Sequence, residues 1–206
     1  MKKGIKVLIG IIIAILIIIA ILVGIYLVSF SPSIETTQVS GASQIGVTNV
    51  SQEFDAARMA LENEKQGATK QVTLTSNDLS NMAAYAVSES PSAKKIITGV
   101  KIEPKDKNLD VYLTAKLHGV SSQAKIILNV KHENGKAILH YDSGKVGFVN
   151  IPKAEILDKL ADSGYVSVDK QTDNITINSN ALRDMNISNM TVDNSKLNLE
   201  LQKANS

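Results

Sequence analysis

The hydrophobic pattern of this chain changes period along its length. From Val7 to Ile34 there are 28 residues without a charge, and the stretch Val7 to Val28 is almost entirely Ile, Leu, Val, Ala and Gly. As a helix rising about 1.5 Å per residue, that stretch spans roughly 33 Å, slightly more than the hydrocarbon thickness of about 30 Å. The pattern predicts one transmembrane helix over residues 7–30. From Val47 the apolar positions recur at three- and four-residue steps (Val47, Val50, Phe54, Ala57, Leu61), with charged residues elsewhere on the wheel and Gly67 at the end, which predicts an amphipathic helix packed on its own domain.

A short strand, Gln71 to Leu74, then leads to Thr75. Asp78 follows three residues on, close to a capping box, and Leu79, Met82, Ala83, Ala86 and Val87 mark one face of a second helix that Pro91 stops. From Ile96 the period becomes two: Val100 and Ile102; Leu109, Val111, Leu113, Ala115 and Leu117; Ile126, Leu128 and Val130. Such alternation predicts antiparallel strands with one covered and one polar face. Asn134-Gly135 predicts a type I′ hairpin, with Glu133 opposite Lys136, Val130 opposite Leu139 and Leu128 opposite Tyr141. Beyond it, Pro152 suits a first helical turn, and Ile156, Leu157, Leu160 and Ala161 form the stripe of a third helix closed by Gly164. Val166/Val168, Ile175/Ile177, Met190/Val192 and Leu197/Leu199/Leu201 predict further strands, with Asn and Asp clusters at the turns.

Charge orients the apolar segment. Lys2, Lys3 and Lys6 precede it, and Ser31 to Ala57 has no Lys or Arg, so the positive-inside rule places the N-terminus in the cytoplasm and the remainder outside the cell membrane. The segment is longer than a cleaved signal sequence and no A-x-A-like site follows it. The predicted organisation is a short cytoplasmic tail (1–6), a transmembrane helix (7–30), a Ser/Thr/Gly/Gln-rich stalk or linker (31–46) and an extracytoplasmic domain (47–206). The expected class is α+β: a mainly antiparallel sheet, flat or curved, with two or three packed helices.

Three of the 22 basic residues precede the apolar segment and all 20 acidic ones follow it, so the outer part carries 19 − 20 = −1. Nothing there suggests a nucleic-acid footprint. No cysteine is present, which excludes disulfides, thiolate metal sites, a thiol nucleophile and bacterial lipoprotein acylation. The register above puts His132 on the apolar face and His140 on the polar one, so they do not share an ion, and His118 is read as an isolated strand residue. Asp169, Asp173, Asp184 and Asp193 lie in Asn-rich turns without an alternating Asp/Asn ladder, which reads as turn chemistry and not as a calcium site. No G-x-S-x-G elbow and no phosphate-binding loop occurs. The expectation is therefore no enzyme, no cofactor, no catalytic residue and no metal ligand.

The strand-to-helix step Val72-Thr73-Leu74-Thr75-Ser76-Asn77-Asp78-Leu79, the long alternating strands, and Gly147-Phe148-Val149-Asn150-Ile151-Pro152 before a helix together resemble the YpmS-like family of membrane-anchored extracytoplasmic proteins from Gram-positive bacteria, over roughly residues 70–203. The resemblance implies an extracytoplasmic domain without an assigned biochemical role and carries over no site residues. By fold analogy alone, anchored strand-rich domains also look like tubular lipid-binding architectures. The expected function is binding of a lipid or lipid-linked envelope component in a groove lined by Leu109, Val111, Leu113, Leu117, Ile126, Leu128, Val130 and Leu139. The alternative is a structural module docking on another envelope protein.

Overall fold

The alternating residues after Ile96 fold into a continuous antiparallel meander in a computed structural model that describes residues 32–42, 44–117, 119–133, 136–158, 162, 166–178 and 185–204. Strands β3 (Ile97–Lys105), β4 (Asn108–Leu117), β5 (Val120–Glu133) and β6 (Lys136–Val146) lie side by side. Asp106 and Lys107, both at positive φ, make the tight turn between β3 and β4. The pairs Glu133–Lys136, Val130–Leu139 and Leu128–Tyr141 are those the hairpin register predicts; a bulge between Ile127 and Leu128 then shifts it. Asn134 and Gly135 themselves lie outside the described residues.

Around this meander, β1 (Thr37–Gln38) pairs with β3, β7 (Val149–Asn150) with β6, and the hairpin of β8 (Val166–Asp169) and β9 (Asn174–Ile177) extends the other side, giving eight strands in the order β1-β3-β4-β5-β6-β9-β8 with β7 off the path. A second sheet has the order β10 (Met185–Asp193), β11 (Lys196–Lys203), β2 (Thr69–Leu74). One of its faces is polar: Thr69 Oγ1 donates to Glu200 at 2.8 Å, and Thr73 Oγ1 to Asn198 at 2.9 Å. Its other face, carrying Val72, Leu74, Met185, Ile187, Met190, Leu197, Leu199 and Leu201, is buried in the core.

The amphipathic patterns form helices α1 (Gln44–Glu62) and α2 (Ser76–Glu89). In α1, Val47, Val50, Phe54, Ala57 and Leu61 are all buried, against α2, β2 and β11. Helix α2 starts with the expected capping box: Asp78 N donates to Thr75 Oγ1 at 3.2 Å, and Thr75 N to Asp78 Oδ2 at 2.9 Å. It also closes the exposed edge of β3, since Ile102 N donates to Ser80 Oγ at 2.9 Å and Ile102 O accepts from Ser76 Oγ at 2.7 Å. The third helix, α3 (Lys153–Leu157), carries the first part of the predicted stripe. Ile156 and Leu157 are buried, whereas Leu160, Ala161 and Gly164 lie outside the described residues.

The expected class, an α+β domain with one sheet behind a single transmembrane helix, is corrected by this architecture. The described residues are mostly antiparallel strand, divided between two sheets, with three helices. None of these helices is long and apolar enough to cross a membrane, and residues 7–30 lie outside the described residues. The physical reason is partner choice. Alternation shows which face of a strand is apolar but not which strand it pairs with, and β2 pairs with β11 from the far end of the chain.

Tyr141 gives the core a pH dependence. Its hydroxyl donates to Ile151 O at 3.3 Å, and burial, aided by the Asp142 carboxylate, pushes its pKa up to about 12. The unfolded phenol titrates near 10, so its contribution to stability is whole below about pH 10 and is lost as the pH rises to about 12. The urea midpoint is expected to fall between about pH 9 and about pH 11, and to fall less in Tyr141→Phe, which removes the ionisable group. Equal alkaline losses in both proteins would show that Tyr141 does not carry the effect.

Candidate functional site

Two places bear on function: the face expected to be a groove, and the segment expected to be a linker. Of the eight groove candidates, Leu109, Val111, Leu113, Ile126, Leu128, Val130 and Leu139 are all buried members of one core cluster. The side chain of Leu117 lies outside the described residues. Helix α2 packs on β3, and β10 packs across β5 and β6, so the inner face of the large sheet is covered where those seven residues stand. The structure brings the seven together as core, with no open channel along them among the described residues.

The linker segment is bonded to the opposite, outer face. Gly99, Thr114 and Gln123 form one row across β3, β4 and β5. Residues 33–36 lie over that row as a strap. Gln123 Oε1 accepts from Ile34 N at 3.1 Å and from Ser33 N at 3.3 Å, while Gln123 Nε2 donates to Ile34 O at 2.7 Å. The same Nε2 donates to Thr114 Oγ1 at 3.2 Å, and Thr114 Oγ1 lies 3.2 Å from Thr36 Oγ1. The strap leaves Thr114 and Gln123 only 8% and 9% exposed, which polar side chains on an outward face tolerate because every bonding group here has a partner. Gly99 makes room for the strap, because a Cβ there would stand 2.1 Å from Thr36 Oγ1. The chain then continues into β1 on the edge of β3.

Beside the strap, Gln38, Val39, Ser40, Ser88, Lys94, Ile97 and Thr98 line a cleft of about 440 Å³ that opens to solvent. Elsewhere on the outer face Lys125 Nζ lies 2.6 Å from Asp110 Oδ2 and 5.4 Å from the centre of the Tyr112 ring. Burial disfavours the Lys125 ammonium, but Asp110 and Tyr112 outweigh it and raise its pKa above the usual value.

The candidate metal residues among those described are dispersed. His132 and His140 face opposite sides of the sheet; His140 Nδ1 lies 2.9 Å from Asn174 Oδ1, and His132 Nε2 is buried without a hydrogen bond. His118 and Asp184 lie outside the described residues. Asp169 accepts from the backbone N–H of Gln171 and Thr172, and hydrogen bonds from Thr172 and Gln171 hold its carboxyl below the usual range; Asp173 pairs with Lys153 at 2.6 Å, and Asp193 accepts from Asn194. Among the described residues no group of three or more His, Asp or Glu could hold a metal ion.

The strap residues escaped the sequence reading. Thr114 and Gln123 are polar residues on a polar strand face, which nothing local distinguishes. Gly99 carried a usable signal, since a lone glycine in a strand marks a bulge or a close backbone approach, and here it is both.

Fold and site together define a two-sheet antiparallel domain whose outer face is crossed by its own N-terminal strap. No protein-family model matches the chain, and no curated protein or solved structure matches it.

Proposed function

We propose that this chain is a membrane-anchored, non-enzymatic binding module of the cell envelope, with its N-terminus cytoplasmic and its domain held on the outer surface of the bilayer. Residues 7–30 are the anchor in this reading, and the ligand is a lipid or lipid-linked component met at the membrane surface, not an acyl chain threaded through the core. The observation that carries the reading is the strap. Ser33 is already hydrogen-bonded to Gln123, and the three steps from Phe30 to Ser33 reach at most about 11 Å. A domain tied so close to an apolar anchor meets only partners within a short distance of the bilayer. The resemblance to the YpmS-like family agrees with this placement.

The full-length protein is expected to stay with membranes through an alkaline carbonate wash, to need detergent for release, and to lose its domain to protease added outside intact cells. Recovery in the soluble fraction would sink the anchor, and a domain protected until lysis would reverse the topology. Mass spectrometry of the gently extracted protein is expected to find co-purifying lipid; a protein partner in its place would favour the docking module.

A further inference from the structure

We infer that the domain rests on an anionic bilayer surface through one end of its large sheet, with Phe148 entering the headgroup region; this rests on the anchoring proposed above. The register locates that end. Gln123, which holds the strap, is one residue from Ala124, and Ala124 pairs with Val146, the last residue of β6. Gly147 and Phe148 form the turn that follows, before Val149 pairs back on Val146. The β4–β5 turn projects on the same side, beyond the pair Leu117–Val120. The described chain therefore joins the domain at Ser33 and Ile34 close to this end of the sheet.

Large apolar side chains exposed among the described residues are Met59, Val120 and Phe148, and two of the three are at this end. Phe148 is 80% exposed. Aromatic residues favour the membrane interface, where the ring leaves water without entering the hydrocarbon centre. Lysines stand in the rows and the turn next to the two tips. Lys116 is on the row next to Val120, and its N–H donates to Ile96 O at 2.8 Å, which brings in Lys94 and Lys95 from the turn just before β3. Lys145 precedes Val146 on the Phe148 hairpin. Against these four lysines stand the carboxylates of Glu35 on the strap, Glu89 at the end of α2 and Glu155 in α3, the helix that follows the Phe148 hairpin. Apolar tips within a cationic rim suit a surface of anionic headgroups, where each nearby lysine adds attraction that salt weakens.

The sequence contains no tryptophan, so Phe148→Trp introduces a single fluorescent reporter. The full chain carrying it is reconstituted in vesicles of equal parts phosphatidylcholine and phosphatidylglycerol with a brominated lipid as quencher. Lys105→Trp, at the exposed far end of β3, reports on the opposite end. Flotation first shows whether the chain is anchored. The expected result is emission from position 148 shifted to shorter wavelength and quenched several-fold more than from position 105. In the position-148 reporter chain, Lys95→Glu with Lys116→Glu is expected to reduce quenching on the mixed vesicles and leave it unchanged on phosphatidylcholine alone. Chains that float but are quenched equally at both positions overturn the inference and leave the anchor standing, whereas chains that do not float overturn both. Quenching at position 148 that ignores vesicle charge and the lysine changes overturns the anionic surface as partner.

Discussion

Leu113→Ala is expected to lower stability by about 2–5 kcal/mol, the range for truncating a buried leucine where the surroundings cannot close on the gap. Leu113 is 1% exposed and stands in the row between Val100 and Ala124, which are buried too. The loss comes from removed apolar contact and from the cavity left among strands whose backbone hydrogen bonds hold them in place. This experiment also separates core from groove. Were the residue lining an open lipid channel, its truncation would change lipid loading and cost little in the empty protein. Urea unfolding of the lipid-free protein measures the difference, and a loss below about 1 kcal/mol would mean that this face is not packed as the structure has it.

Gly99→Ala is expected to detach the strap, at a cost of about 1–3 kcal/mol typical of overpacking. The new methyl would stand 2.1 Å from Thr36 Oγ1 and 2.9 Å from Thr36 Cβ, distances that no rotamer of alanine relieves. Either the strap lifts or β3 shifts, and β3 is paired with β4 along its length. Lifting the strap breaks the bonds of the Gln123 side chain to Ser33 and Ile34 and leaves its bond to Thr114, so the amides of Ser33 and Ile34 should lose protection from hydrogen exchange while those of β4 and β5 keep theirs. Combining the change with Thr36→Gly, which removes both clashing atoms, should recover part of the stability; the pair will be non-additive because the residues touch. Unchanged protection at Ser33 and Ile34 would show that the strap does not depend on the absence of a side chain at residue 99. If the strap sets the distance of the domain from the bilayer, Gly99→Ala should also weaken quenching of the reporter at position 148.

These two residues illustrate how unevenly the molecule could be read beforehand. Leu113 belongs to an alternating run whose apolar face was evident, yet its role was not, since a groove wall and a core position have the same pattern. Gly99 carried a local signal of close approach, but nothing near it in sequence named Thr36 as the group approaching. Phe148 follows a glycine in a turn; its exposure depends on how the β6–β7 hairpin projects from the sheet, which no local pattern contains.

By itself the sequence determined the local features: the apolar face of the strands it predicts, the register around Asn134-Gly135, the Thr75/Asp78 cap, the buried stripe of α1 and the uncharged stretch before Pro32. Each depends on residues within a few positions of one another, where backbone geometry alone decides which side chains share a face. Only the tertiary structure decided that β2 pairs with β11, that β10 and α2 cover the inner face of the large sheet, and that residues 33–36 lie across Gly99, Thr114 and Gln123. A period of two is satisfied by any strand partner and by any cover, so the choice falls to the arrangement that buries the most apolar surface while pairing nearly all buried polar groups, a property of the whole chain.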